Sequence, residues 1–238
     1  MEPIESLTKN LSPRQIASIK EGLSYTWSQC SLLHLFMSHI LDIRMDRVNI
    51  LNLEHRTINL YGYYIHGAMV KRLIEDIRFK RQNSEGILFT MGKNFFRGTT
   101  HPIFEITKDD RVAKLISLSC FDDKNHFDNF LSICRLIRDV LSHNYSEKVM
   151  LTDYNVKGST IQNIKKTGNN QLSFKYNGKK FFPSIYSEIG FEIDIIINIS
   201  VLEEGKSLFD AIPIKNLLFL GELSNNILQK LIDIIESS

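Results

Sequence analysis

Apolar residues in SQCSLLHLFMSHILDIR recur three or four apart at Cys30, Leu33, Phe36, Met37, Ile40 and Leu41, the spacing of a helix face. Before it, IASIKEGLSYTWSQ follows Ser12-Pro13, an N-cap residue and a proline suited to the first helical position, so a separate helix opens there. From about Glu54 to Arg81, the run containing INLYGYYIHGAMVKRLIEDIRFKR reads as a long third helix, whose basic end suits the C-terminal dipole. The stretch from about Ser84 to Lys108 carries glycines, His101-Pro102 and the short extended pieces ILFT and IFEIT, and reads as a connecting loop. DRVAKLISLSC and NHFDNFLSICRLIRDVLSH return to helical spacing.

After Asn144 the pattern changes. LTDYNVKGSTIQNIKKTGNN is polar and irregular, and Asn177-Gly178 between LSFKY and KKFF predicts a type I′ hairpin turn, because this pair accepts positive φ angles. FEIDIIINISVL sets Phe191, Ile193, Ile195, Ile197, Ile199 and Val201 against Glu192, Asp194, Asn198 and Ser200, the period of a half-buried strand. KNLLFLGELSNNILQKLIDIIE closes the chain as a helix able to cover that strand's apolar face. The expected fold is α+β and mainly α. A helical bundle occupies residues 1–150, and a small antiparallel sheet with a helix occupies 151–238.

Composition sharpens this. With 238 residues and 43% hydrophobic content the chain supplies a core without staples. Cys30, Cys120 and Cys134 are an odd number in apolar segments, which suits reduced core thiols more than a disulfide framework. A net charge of +2 argues against a strongly electrostatic nucleic-acid binder. MEPIESLTKN is acidic and polar, unlike a secretory signal, and no apolar run reaches the roughly 18–20 residues of a membrane span, so a cytoplasmic protein is expected. All arginines lie at or before Arg138 and all histidines at or before His143, so acid–base or phosphate chemistry belongs to the first part of the chain.

The octet RDVLSHNY, Arg138 to Tyr145, closes the helix that starts near Asn125. Placed about 100° apart around the axis from Phe127, the residues Phe130, Leu131, Cys134, Ile137 and Leu141 form a core stripe within about 80° of it. Ile133, Leu136 and Val140 form a second apolar patch near 180° to 240°, roughly opposite, so the helix asks for two neighbours, the second of which could be another chain. A polar strip of Asp128, Ser132, Arg135, Asp139 and Ser142 runs between them, with Arg138 at about 20° on one border and His143 at about 160° on the other. Asp139 and His143, at i and i+4, can share a hydrogen bond that fixes the imidazole tautomer. A charge so near the stripe as Arg138 needs a phosphate or carboxylate partner. Asn144 suits a left-handed C-cap that turns His143 and Tyr145 back toward the strip.

Arg138-x4-His143-x-Tyr145, at the end of a bundle helix, resembles the Rx4HxY form of the HEPN superfamily. The resemblance covers the octet and the helical part and does not extend past residue 145. It implies a four- or five-helix bundle, a homodimer, and a metal-independent endoribonuclease with no cofactor, in toxin–antitoxin or phage-defence biology. Arg138 and His143 are the catalytic residues it implies, with Asp139, Ser142 and Tyr145 as auxiliaries. RNA is then the substrate, and cleavage by its own 2′-hydroxyl leaves a 2′,3′-cyclic phosphate and a 5′-hydroxyl. In the subgroup paired with nucleotidyltransferase antitoxins, the tyrosine at the position of Tyr145 accepts AMP, which implies such a partner.

Blander readings stand beside it. Arg and His at a helix end also satisfy the macrodipole, and Arg135 with Asp139 would make an ordinary i, i+4 pair. Cys30 and His34, also i, i+4, would need a third ligand to hold a metal. Lys71, Arg72, Arg78, Lys80 and Arg81 read as a solvated face or an RNA-backbone contact. The alternative from another class is a catalytically silent HEPN-like module that binds nucleotide or RNA, or dimerises. A buried, salt-bridged Arg138 would instead favour a helical protein outside the superfamily.

Overall fold

The computed structural model describes residues 4–45, 47, 57–60, 63–142, 149–166, 171–179 and 190–238. Its elements are α1 (Ile4–Lys9), α2 (Pro13–Arg44), β1 (Thr57–Leu60), β2 (Tyr63–His66), α3 (Gly67–Phe79), α4 (Arg81–Ile106), α5 (Asp110–Cys120), α6 (Lys124–Ser142), α7 (Asp153–Lys157), α8 (Ser159–Lys166), β3 (Gln171–Lys179), β4 (Gly190–Asn198), α9 (Leu208–Ala211) and α10 (Ile214–Ser237). The fold is α+β and mainly α, and among the described residues the strands form two antiparallel pairs, β1–β2 and β3–β4. Among the described residues no helix is long and apolar enough to cross a membrane. The chain divides into two compact units, residues 1–30 with 92–238, and residues 31–91.

Ser12 opens α2 as its sequence predicts, in a reciprocal cap: the Gln15 N–H donates to Ser12 Oγ at 3.2 Å and the Ser12 N–H to Gln15 Oε1 at 2.6 Å. The two helices expected here are one. Between them Thr26 Oγ1 donates to the Leu23 carbonyl and Ser28 Oγ to that of Ser24, so the polar residues bond back into the ladder and do not end it.

The expected loop at 84–108 lies within α4. Phe89, Phe96 and Ile103, seven apart, are buried, and Thr99, Thr100 and Thr107 donate to carbonyls one turn back. Two of the positions that argued for a loop sit at tight contacts: a Cβ on Gly98 would lie 3.0 Å from the Gln29 side chain, and Pro102 packs against Gly22 of α2. A Cβ on Gly22 would lie 3.2 Å from Pro102 Cβ, and one on Gly221 of α10 would lie 2.7 Å from Thr99 Oγ1. Close helix packing therefore outweighs the backbone bond that Pro102 gives up.

In the 31–91 unit the helix expected from Glu54 begins only at Gly67. β1 pairs with β2 from Thr57↔His66 to Leu60↔Tyr63, because threonine, isoleucine and tyrosines favour strands over helix. Ile40, Ile43, Ile74 and Ile77 form this unit's core with Phe36, Val70, Ile87 and Leu88 against them.

In the other unit α5 and α6 pack together, α10 packs on α5 and β4, and α8 and β3 pack on α6. Asn177 and Gly178 make no turn; they lie inside β3 opposite Glu192 and Phe191, where the Phe191 ring lies against the open Gly178 backbone. KKFF falls at Lys179 and beyond, and 180–182 lie outside the described residues. β4 alternates as expected through Ile197, but Ile199–Val201 leave the strand in a 3₁₀ turn. The stretch expected to be irregular holds α7 and α8, the first started by a capping box of Thr152 and Asn155.

Asp109 caps α5 and ties it to α2: Arg111 and Val112 N–H groups donate to Oδ1 at 3.0 and 3.2 Å, and Gln15 Nε2 donates to Oδ2 at 2.7 Å. The Val112 bond, aided by those from Gln15 and Arg111, holds its carboxyl below the usual range. Asp109→Ala is expected to cost about 1 kcal/mol in urea unfolding at pH 7. Because the folded value is depressed, this contribution is complete above the unfolded value of about 3.9 and fades as pH falls through the lower folded one. The gap between wild type and variant should narrow at acid pH.

Candidate functional site

Helix α6 carries the described part of the octet, and its cross-section matches the sequence pattern. Phe127, Phe130, Cys134, Ile137 and Leu141 are buried, and so are Ile133, Leu136 and Val140 on the far side. The second patch is covered by this chain itself: α8 and β3 pack on α6 and bury Ile161, Ile164 and Leu172. No other chain is needed to bury it, so the patch does not argue for a dimer.

Arg138 is half-exposed. Its guanidinium carbon stands 4.7 Å from the centroid of the Phe104 ring, and Nε and one terminal nitrogen donate to Asp139 Oδ1 at 3.1 and 2.9 Å. The charge near the core stripe is thus met by a ring face beneath and a carboxylate beside it. A guanidinium has five N–H donors, so part of the fork still faces outward. Asp139 Oδ2 accepts from Thr160 on α8, and Ser142 Oγ donates to the Arg138 carbonyl at 2.8 Å. Both Asp139 oxygens are engaged, and the Arg135–Asp139 pair of the blander reading does not form; among the described residues Arg135 has no hydrogen bond or ion pair. His143, Asn144 and Tyr145 lie outside the described residues.

The structure adds residues that the sequence reading missed. Arg97 on α4 donates to the Leu141 carbonyl, one of the orphan acceptors at the end of α6, and so places a second cation at the octet. His101 and Glu105 follow it on α4 at successive four-residue steps. Lys108, bonded to Glu105, holds that carboxyl below its usual range, and His101 and Arg138 add to the effect, so these groups share one electrostatic neighbourhood. Nothing in a stretch read as a loop could have put Arg97 and His101 on one helix face.

Other candidates resolve into structure. Lys80 pairs with Asp76 at 2.7 Å, and Arg78 Nε donates to the Ile43 carbonyl at 3.3 Å, so part of that basic cluster holds the 31–91 unit together. Among the described residues no group of three or more metal-ligating side chains forms, and Cys30 and His34 gain no third ligand. All three cysteines are free and buried, and burial pushes each thiol above its usual range. Iodoacetamide at pH 8 is expected to label none of them in the native protein within an hour and all of them in urea. Labelling of the native protein read by mass spectrometry would contradict the burial.

The chain matches no known protein family, no curated protein and no solved structure.

Proposed function

We propose that the chain is a metal-independent endoribonuclease of the HEPN kind, working as a cytoplasmic homodimer in defence or toxin–antitoxin biology. The observation that carries this reading is Arg138. It is fixed over Phe104 and by Asp139, yet keeps outward donors five residues before His143 in the Arg138-x4-His143-x-Tyr145 pattern. In the proposed reaction His143 takes the proton of a ribose 2′-hydroxyl, and that oxygen attacks the adjacent phosphorus. The bond to the 5′ oxygen breaks, and the second copy's His143 returns a proton to the leaving oxygen. Arg138 meets the charge that grows on the phosphoryl oxygens. Tyr145 is the proposed acceptor of AMP from a nucleotidyltransferase-type antitoxin, which would close the cleft.

One observation favours a silent RNA- or nucleotide-binding module instead. Asp139, the residue able to orient His143, is engaged by Arg138 and Thr160. The two readings separate on an RNA substrate carrying 2′-deoxyribose at the mapped cut. The nuclease reading expects binding without cleavage there and a cyclic phosphate on the all-ribose product. The silent module expects binding and no cleavage of either.

A further inference from the structure

The polar strip of α6 does not end at the octet. Toward its N-terminal part it forms one wall of a groove of about 660 Å³, closed by α8 and the start of β3. The volume is in the range of small-molecule sites, roughly 300–1,000 Å³. What lines the groove is unusual in kind. Asn125, Asn163 and Gln171 line it together with Arg135, and among the described residues none of these four side chains makes a hydrogen bond or an ion pair. The one carboxylate in the lining, Asp128, is paired with Lys124 at 2.5 Å, which leaves Arg135 as the unneutralised charge among the described lining residues. Buried Ile164 and Leu172 supply an apolar floor.

From Asn125 to Arg135 the wall runs ten residues along a helix, about 15 Å. Asn125 stands at one end of that wall and Arg135 at the other, while Asn163 lines the groove from α8 and Gln171 from the start of β3. A cation with outward donors suits a phosphate. Carboxamides each present a donor and an acceptor, the arrangement that reads the edge of a nucleobase, and the apolar floor suits its flat face. A carbohydrate would match the amides but would leave the guanidinium unmet, and among the described lining residues there is no aromatic platform for a sugar ring.

We infer that this groove binds a nucleotide, its phosphate on Arg135 and its base on the carboxamides of Asn163 and Gln171. The inference stands on the groove and does not depend on the nuclease reading. The nucleotide is free or part of an RNA strand, and the two sources share this chemistry.

The test is calorimetric titration of the full chain with the four nucleoside 5′-monophosphates, the matching nucleosides, inorganic phosphate and a short oligoribonucleotide. Arg135→Ala and Asn163→Ala, both at exposed positions, are titrated beside wild type, with thermal melts to confirm folding. At least one monophosphate should bind, and Arg135→Ala should weaken it about tenfold or more while leaving nucleoside binding alone, with partial recovery in Arg135→Lys. Asn163→Ala should change the preference among bases. Tighter binding of the oligonucleotide, with the same Arg135 dependence, assigns the groove to RNA; equal or weaker binding assigns it to a free nucleotide. Phosphate binding as tightly as the monophosphates, insensitivity to both variants, or no binding of any nucleotide would overturn the inference. Arg138→Ala should keep monophosphate affinity, so loss of the nuclease reading and loss of this one are distinguishable.

Discussion

Phe130→Ala is expected to lower the free energy of unfolding by about 3–5 kcal/mol and to loosen β3 from α6. Phe130 is fully buried, and its ring stands 5.3 Å from that of Phe121 and 5.6 Å from that of Phe174 on β3. Truncation removes transfer free energy, leaves a cavity that helices on several sides resist filling, and breaks aromatic pairs worth about 0.5–1.5 kcal/mol each beyond their area. Against a total stability of about 5–15 kcal/mol this is a large fraction. Urea unfolding gives the loss, and native-state hydrogen exchange gives its place: amides of 171–179 should exchange faster than those of α5. A loss below about 1 kcal/mol, with β3 still protected, would mean that the hairpin is held by something other than this aromatic cluster.

Arg138→Ala is expected to reduce kcat/KM for RNA about 10²–10³-fold, the size of effect seen when a preorganised donor to a developing oxyanion is removed. It should barely change stability, because the pair with Asp139 is a half-exposed contact between neighbouring residues and the stacking on Phe104 is worth about 1 kcal/mol at such a site. Arg138→Lys keeps the charge and loses the planar fork, so it should recover only part of the rate. The split between an unchanged melting temperature and a collapsed rate separates a functional Arg138 from a structural one. Equal losses in both would leave it as a packing residue.

The helices with unbroken 3.6-residue periodicity, α5 and α6, were legible in the sequence, as were the apolar face of β4 and the Ser12 cap. Elements were missed where tertiary packing overrides local chemistry. Glycines and Pro102 argued against α4, yet Gly98 and Pro102 sit where the helix approaches a neighbour closely, and a single sequence does not reveal what a glycine faces. Asn177-Gly178 argued for a turn, but pairing with Glu192 and Phe191 carries the strand through it. At the site, the helical cross-section put Arg138 beside the core stripe and so asked for a partner, and Phe104 and Asp139 are that partner. It could not show that Thr160, twenty-one residues on, bonds Asp139 and that, among the described residues, Arg135 has no ion pair. Arg97 was hidden by the misreading of α4.

The central claim is that the octet cuts RNA without a metal. Its most direct measurement incubates purified wild type, His143→Ala and Arg138→Ala with mixed structured RNAs in EDTA and analyses the product ends. The account predicts cuts by wild type that leave 2′,3′-cyclic phosphates and 5′-hydroxyls, absent from both variants while their melting temperatures persist. Wild-type protein with an unmodified Tyr145 and no bound inhibitor in its mass spectrum, yet as inert as the variants, would contradict it.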